Sequence, residues 1–305
     1  MNYKRDFPVW ISIAVYLAWL FLAVGFRMDH LYFILFFLVC YYLSPLSRSI
    51  ILSFIFFLLF WIIYDSMRVY PNYLINPVHI AEPYELEKAL FGIQDGSGGI
   101  LTPNEYFNTY PNKLSDLLSG IFYLTWVPLP FAYGIWLYFK DRKMLLNFSL
   151  TFLICNLIGF IIYYAYPAAP PWYKIVYGTQ ELFNIPGEAA NLKRFDSLVG
   201  SPIFENMYKQ NANVFAAIPS LHAAYPIVTF FFVMKKRYRL ASILFFLDIV
   251  GIWFAAVYSL HHYIIDLILG GFCAIIAIFA FELLNRTTIY HRYINLYSEY
   301  TKRNN

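Results

Sequence analysis

Charge is scarce in this chain. Only 13% of its 305 residues are Asp, Glu, Lys or Arg, about half the share of a soluble domain. Cysteine is scarce too. Cys40, Cys155 and Cys273 all lie in apolar runs, which excludes a disulfide framework and leaves them as packing residues. A net charge of +4 is too small to argue for a polyanionic partner, and no nucleic-acid partner is expected. No small-x-small cleavage site follows the basic Lys4 and Arg5, so the first apolar run reads as an uncleaved span rather than a signal peptide. What is abundant is apolar surface. Sixty per cent of the chain is apolar, with 31 Phe, 28 Tyr and 7 Trp. A soluble fold of this length cannot cover so much, and bilayer lipid must cover part of it. A soluble enzyme and a disordered chain are excluded on the same ground.

A spanning helix needs roughly 20 mostly apolar residues. Six clear candidates are 9–26, 116–139, 145–166, 214–234, 239–258 and 263–285. Two shorter ones, 31–46 and 49–64, are split by Pro45 and Arg48 and read as a helical hairpin. The pattern predicts an all-α polytopic bundle of about eight spans, with both termini on one side. Basic residues choose the side. With the N-terminus cytoplasmic, the inner segments hold Lys4, Arg5, Arg48, Lys140, Arg142, Lys143, Lys235, Lys236, Arg237, Arg239, Arg286, Arg292, Lys302 and Arg303, which is 14 of the 22 Lys and Arg. Segments 65–115 and 167–213 then face outward, to the periplasm, the exterior or a lumen. Loops of that length are usually functional.

Three histidines carry a pattern. His222 lies in AAIPSLHAAYP, 216–226, at the outer end of the sixth span. His261 and His262 lie in YSLHHYIIDLILGG, 258–271, at the outer start of the eighth. The topology brings both segments to one membrane face. His262 and Asp266 are spaced i, i+4 and share one helix face. An Asp inside a span costs about 2.5–3.5 kcal/mol on insertion scales and needs a partner. A His one turn away can donate its ring N–H to the carboxylate, which fixes the tautomer and aims the other ring nitrogen outward. Such an imidazole is a competent nucleophile or base, and His222 supplies a second one to protonate the leaving oxygen. The same residues also read as a structural His–Asp pair, or as three metal ligands, though no Glu or Cys sits nearby to complete a shell. Ser220 beside His222 reads better as a helix N-cap than as a nucleophile. Intramembrane Asp248 reads as structural, bonded to Asn156 or to Tyr hydroxyls. A proton or ion path through Asp248 and Asp266 is the rival from another class; against it, the polar residues gather at one face.

PSLH followed some forty residues later by HHYxxD resembles the PAP2 superfamily of membrane lipid phosphatases and phosphotransferases, and within it the inositol phosphorylceramide synthase branch. AYPAAPPW at 165–172 resembles the first block of that branch, and YDSMR at 64–68 and ELEKALFG at 85–92 its outer loop. The resemblance covers about 64–275. It implies a six-helix core in a catalytic domain, 49–286, with extra spans at 1–48 and a cytoplasmic tail at 287–305. It implies His262 as nucleophile, Asp266 as its orienting carboxylate and His222 as acid, with no metal and no cofactor. The expected reaction moves a phosphoryl head group, phosphoinositol, from a glycerophospholipid to a lipid hydroxyl such as that of ceramide. A lipid or isoprenoid (pyro)phosphate phosphatase is the alternative. The basic residues of the wider superfamily are missing: Gly159 stands at the Lys position, Tyr166 stands before Pro167, and Ala256 replaces the Arg ahead of the last block. Candidates to contact the phosphate instead are Ser220, His261, Arg68, Lys174 and Arg194, with Lys193 as a further outer cation.

Overall fold

The computed structural model describes residues 3–96, 98–209 and 213–303. The side chains of Lys4, Arg5 and Arg303, three of the charges used for sidedness, lie outside the described residues, as do 210–212 of the second outer segment and the last two residues of the tail. Helix α1 (Tyr3–Trp19) runs on as a π-turn to Val24, and α2 is Met28–Leu43. Ser44, with Pro45 at the first helical position, caps α3 (Pro45–Ser53) through its hydroxyl on the Ser47 N–H. Helix α4 (Ile55–Ser66) follows α3 across a 59° bend. The break therefore lies at Phe54 as well as at the expected Pro45.

The first outer segment holds α5 (Ala81–Phe91), a two-residue hairpin pairing Ile93–Gln94 with Ile100–Leu101, and α6 (Pro103–Thr109). Asn112 caps α7 (Lys113–Tyr123), accepting from the Leu114 and Ser115 N–H groups. Four residues interrupt the span before α8 (Pro128–Lys140), where Pro128 and Pro130 cannot continue a preceding ladder. Asp141 caps α9 (Arg142–Ala165). The second outer segment carries α10 (Pro171–Tyr177), α11 (Leu192–Val199) and α12 (Ile203–Tyr208). Then come α13 (Leu221–Lys235), α14 (Arg239–Tyr258), α15 (Ile264–Leu284) and α16 (Thr288–Arg303).

Among the described residues, five helical stretches are long and apolar enough to cross a membrane, and the bent α3–α4 pair makes a sixth; α2 and α13 are shorter apolar helices. Each of the eight expected segments coincides in its greater part with one of these helices, and the protein is an all-α integral membrane bundle. Segment 214–220 is a correction, because it is not helical. It is a turn and a bend on either side of a bridge at Ala216, and Ala168 lies between it and His79: the Ala168 N–H donates to Phe215 O at 3.0 Å and the Ala217 N–H to Ala168 O at 3.3 Å, while the His79 N–H donates to Pro167 O at 2.8 Å. Pro219 and Ser220 then start α13 two residues before His222. The AYPAAPP stretch is thus the seam that joins both outer segments to the start of the helix carrying a candidate catalytic group.

The core lies between α4, α8, α9, α13 and α15, around Phe148, Phe152, Tyr225, Phe232 and Phe281. Outward-facing positions such as Leu240, Ile243, Phe272, Ile275 and Phe279 are apolar and exposed, as a lipid-facing surface requires. Asp248 is a second correction. It does not reach Asn156 or a Tyr hydroxyl. Its Oδ1 accepts from Thr125 Oγ1 at 2.7 Å, and Asn156 accepts from the Tyr225 hydroxyl at 2.6 Å instead. Thr125 lies in the α7–α8 break, close to the face of α14 that Asp248 occupies.

Candidate active site

Helix α14 gives way to a turn through Leu260, whose φ of +68° is left-handed and uncommon for a branched side chain. Its carbonyl accepts from the Trp172 N–H at 3.0 Å, and the His261 and His262 N–H groups both reach back to Ala256 O at 3.1 Å. The sharp turn places both imidazoles on one cavity before α15 begins. Helix α15 then sets Asp266 one turn on. Its Oδ2 caps the Tyr263 N–H at 2.9 Å and takes His262 Nδ1 at 3.3 Å. Asp266 and His262 are both buried. The Nδ1–H donated to the carboxylate leaves His262 Nε2 as an acceptor, and His222 Nδ1 lies 3.0 Å from it. The result is a continuous chain, Asp266–His262–His222, drawn from two helices and the turn before one of them. Burial pushes the His262 imidazole well below its ordinary value, so the neutral imidazole is the resting form.

Close backbone approach holds the two helices in this register. The Ser220 N–H donates to Asp266 O at 2.9 Å, and a Cβ on Gly270 would stand 2.1 Å from Ser220 O. Ser220 Oγ accepts from the Ala223 N–H at 3.3 Å; it is the expected N-cap. Gly159 has a similar function. A Cβ there would lie 2.7 Å from the Leu221 side chain, so any side chain at this position requires Leu221 to move, and Ala256 at the missing Arg position is fully buried.

The cavity over the histidines has a volume of about 70 Å³. Tyr123, Tyr208, Trp172 and Glu188 line it with His222, His261 and His262. No Lys or Arg does so among the described residues. His261 donates Nε2–H to Ala189 O at 3.3 Å and stacks on Tyr208 with ring centres 4.3 Å apart. Glu188 is ion-paired with Lys193. The other expected phosphate contacts are placed elsewhere. Arg68 faces Asp65 at 4.0 Å, in a cluster where Arg27 bridges Asp29 and Asp65. Lys174 lies over the Tyr84 ring at 5.0 Å and lines a separate outer cleft with Glu105 and Asn108. Arg194 donates to Asn108 O and Oδ1, both at 3.2 Å, and faces Asp116. A second carboxylate–histidine pair joins His30 to Asp65 at 2.8 Å.

Two supporting residues carried no individual signal in the sequence. Glu87, fully buried, accepts from the Ile264 and Ile265 N–H groups at 3.0 and 3.2 Å. It satisfies two of the orphan donors that start α15 and sets a carboxylate at the positive end of the helix. Burial pushes its carboxyl up to about 7. Asn104 donates to Val257 O at 2.9 Å and to His262 O at 3.0 Å, pinning the turn that carries the histidines. Glu87 sits inside the ELEKALFG block, but its charge pattern looks like an ordinary solvated helix face.

Two helices that bring a hydrogen-bonded His–His–Asp chain to one end of a membrane bundle define a phosphoryl-transfer enzyme. The chain belongs to the PAP2 superfamily, whose family model matches residues 102–281. It is 43% identical over 302 residues, 98% of its length and 99% of the relative's, to a phosphoinositol dihydroceramide synthase of Bacteroides thetaiotaomicron. It is 29% identical over 253 residues to the inositol phosphorylceramide synthase catalytic subunit aur1 of Schizosaccharomyces pombe, spanning 78% of this chain and 54% of that one. Over 130 residues it is 29% identical to inositolphosphotransferase 1 of Saccharomyces cerevisiae, covering 25% of that protein. No solved structure gives a significant match.

Proposed function

We propose that this enzyme transfers phosphoinositol from phosphatidylinositol to the primary hydroxyl of a ceramide or dihydroceramide, through a phosphohistidine on His262. The observation that carries the mechanism is the chain from Asp266 Oδ2 through His262 to His222 Nδ1, at 3.3 and 3.0 Å. The likeness to the Bacteroides synthase supports the choice of head group and acceptor. In the free site the His222 Nδ1–H caps the nucleophilic Nε2, so the phosphodiester must part the two rings to bind. Its negative charge, entering beside His222, holds a second proton on that ring. His262 Nε2 then attacks phosphorus, the bond to the diacylglycerol oxygen breaks, and His222 gives that oxygen its proton. Asp266 holds the imidazole orientation and faces the positive charge that develops on it. In the second half, the ceramide hydroxyl attacks phosphorus, His222 takes the hydroxyl proton, and the P–N bond breaks. The sum is phosphoinositol-ceramide plus diacylglycerol.

The catalytic domain is assigned to 49–286, with 1–48 as an addition and 287–305 as a tail. Basic residues on the inner loops support cytoplasmic termini and an outward-facing cavity. The test is product analysis by mass spectrometry in mixed micelles, with phosphatidylinositol supplied with and without ceramide. Phosphoinositol-ceramide and diacylglycerol form with the parent enzyme and not with His262→Ala. Free phosphate from phosphatidate or an isoprenoid pyrophosphate, with no dependence on an acceptor, would overturn the transferase in favour of a phosphatase.

A further inference from the structure

Phosphoryl transfer gathers negative charge on the non-bridging oxygens, and a site must offer donors aimed at them. In this cavity the expected cations are missing among the described residues, and the four outer cations proposed in their place face other partners: Arg68, Lys174 and Arg194 elsewhere, and Lys193 on Glu188 at the cavity wall. Two hydroxyls remain. Tyr123, at the end of α7, is fully buried and lines the cavity. Its ring lies 5.2 Å from the His222 ring and 5.4 Å from the His261 ring, tilted by less than 30° from each. Tyr208, at the end of α12, lines the same cavity and donates its hydroxyl to Tyr123 Oη at 3.1 Å. That bond uses the Tyr208 proton and one lone pair of Tyr123. Among the described residues, the Tyr123 proton has no acceptor, and the Tyr123 ring lies against that of the imidazole that must protonate the leaving oxygen.

We propose that the Tyr208–Tyr123 hydroxyl pair is the phosphoryl-oxygen site of this enzyme, with Tyr123 O–H donating to a non-bridging oxygen of a phosphodiester monoanion. Tyr208 acts behind it. By donating to Tyr123 Oη it makes the Tyr123 proton a stronger donor, as linked hydrogen bonds do in a dry site. His261, neutral because burial pushes its imidazole down, is the flat wall on which Tyr208 rests. Burial also pushes the Tyr208 hydroxyl well above its ordinary value, so it stays a donor throughout the working pH range. Tyr123 is a catalytic residue on this reading, and Tyr208 and His261 are positioning residues.

The inference rests on the phosphotransferase reading, and the experiment separates the two. Tyr123→Phe and Tyr208→Phe are assayed with phosphatidylinositol and ceramide, and orthovanadate, a mimic of the five-coordinate phosphorus, is titrated as inhibitor. Losing a transition-state donor costs about 10²-fold. Tyr123→Phe is expected to lose roughly that factor in kcat, Tyr208→Phe about 5- to 10-fold, and each lipid KM should hold. The vanadate Ki should rise in proportion to the fall in kcat/KM. Turnover diverted to water in the absence of ceramide should fall by the same factor, since the same oxygens carry charge in both halves. A kcat that holds in Tyr123→Phe overturns the proposal, and so does a fallen kcat with an unchanged vanadate Ki, which marks a packing defect. If Tyr123→Phe does not fold, Tyr208→Phe decides by the same proportionality. Turnover retained in His262→Ala would sink the phosphohistidine while leaving the vanadate titration of Tyr123→Phe to judge the hydroxyl site.

Discussion

Asp266 and Glu87 are both buried carboxylates at the start of α15, and they act differently. Asp266 holds a proton-bearing ring nitrogen in place. Replacing it with Asn offers His262 an N–H as readily as an oxygen and lets the wrong tautomer form; on the precedent of such exchanges the loss in kcat is about 10³- to 10⁴-fold. Single-turnover labelling of His262 should slow by the same factor with the lipid KM unchanged. Glu87 touches no ring. Its carboxyl is raised from 4.5 to about 7, so the folded state binds its proton more tightly than the unfolded state. The stability this contributes is present below pH 4.5 and is lost as pH rises through 7. Against Glu87→Gln, the parent should therefore lose up to roughly 3 kcal/mol between those limits. Paired melting curves in detergent over that range measure it, and a pH-independent gap would show that Glu87 does not titrate there. The contrast explains what was legible. The His262–Asp266 spacing is local and announces itself, whereas Glu87 and Asn104 work on backbone groups more than 150 residues away. Asp248 shows the same limit: an intramembrane acid is visible in a sequence, but its partner Thr125, in a break between helices, is not.

At the scale of elements, the crossing of α13 over α15 sets the distance between the two histidines. Gly270 lies at the contact and Gly271 beside it. A Cβ at 270 meets the Ser220 carbonyl, while at 271 the nearest atom is 3.5 Å away, an ordinary contact. Gly270→Ala should cost about 1–3 kcal/mol by overpacking and, by pushing His222 from His262, reduce kcat at least 10²-fold, on the scale of the loss that a 1 Å misplacement brings. Gly271→Ala should leave both melting temperature and turnover near the parent values. Equal effects of the two would remove the crossing from the explanation. The glycines are plain in LILGG, yet only the packed helices tell which one touches. Helix boundaries show a related limit. Segment 214–220 is as apolar as a span, but it is irregular and bonded to Ala168, since an apolar run alone does not distinguish a buried non-helical segment from helix. Helix α16 was expected only as a tail. It packs on α3 and α9, with Ser49 Oγ donating to Thr301 O and the Tyr290 hydroxyl to Asn147, and leaves Ile289, Tyr293, Leu296 and Tyr300 exposed as a separate stripe.

For the molecule as a whole, the proposed sidedness makes a simple demand. In a Cys40→Ser background, Glu181→Cys, exposed in the second outer segment, should react with a membrane-impermeant maleimide in intact cells. Arg292→Cys on α16, also exposed, should react only after permeabilisation. The reverse pattern would invert the bundle and place the cavity at the cytoplasmic face. The class of the fold was legible because composition alone demands lipid contact. The outer cap was not, because its seam is made of backbone hydrogen bonds among His79, Ala168 and Phe215, and those carry no side-chain signature.

A cavity lined, among the described residues, by three imidazoles, two phenols and the Glu188 carboxylate, with no guanidinium or ammonium group, acts as a valence filter. Neutral donors can share the single negative charge of a phosphodiester. A phosphomonoester brings a second charge into the same small space, where the single His222 imidazolium already answers the first, and stripping its water costs several kcal/mol without return. Phosphatidate should accordingly be turned over far more slowly than phosphatidylinositol at equal concentration, and the difference should narrow toward pH 6, where the monoester dianion takes up a proton and becomes a monoanion. By the same reasoning the phosphodiester product, held by no cation, leaves easily. Where a phosphatase must grip a dianion, this site needs only to lodge a monoanion long enough to exchange one lipid alcohol for another.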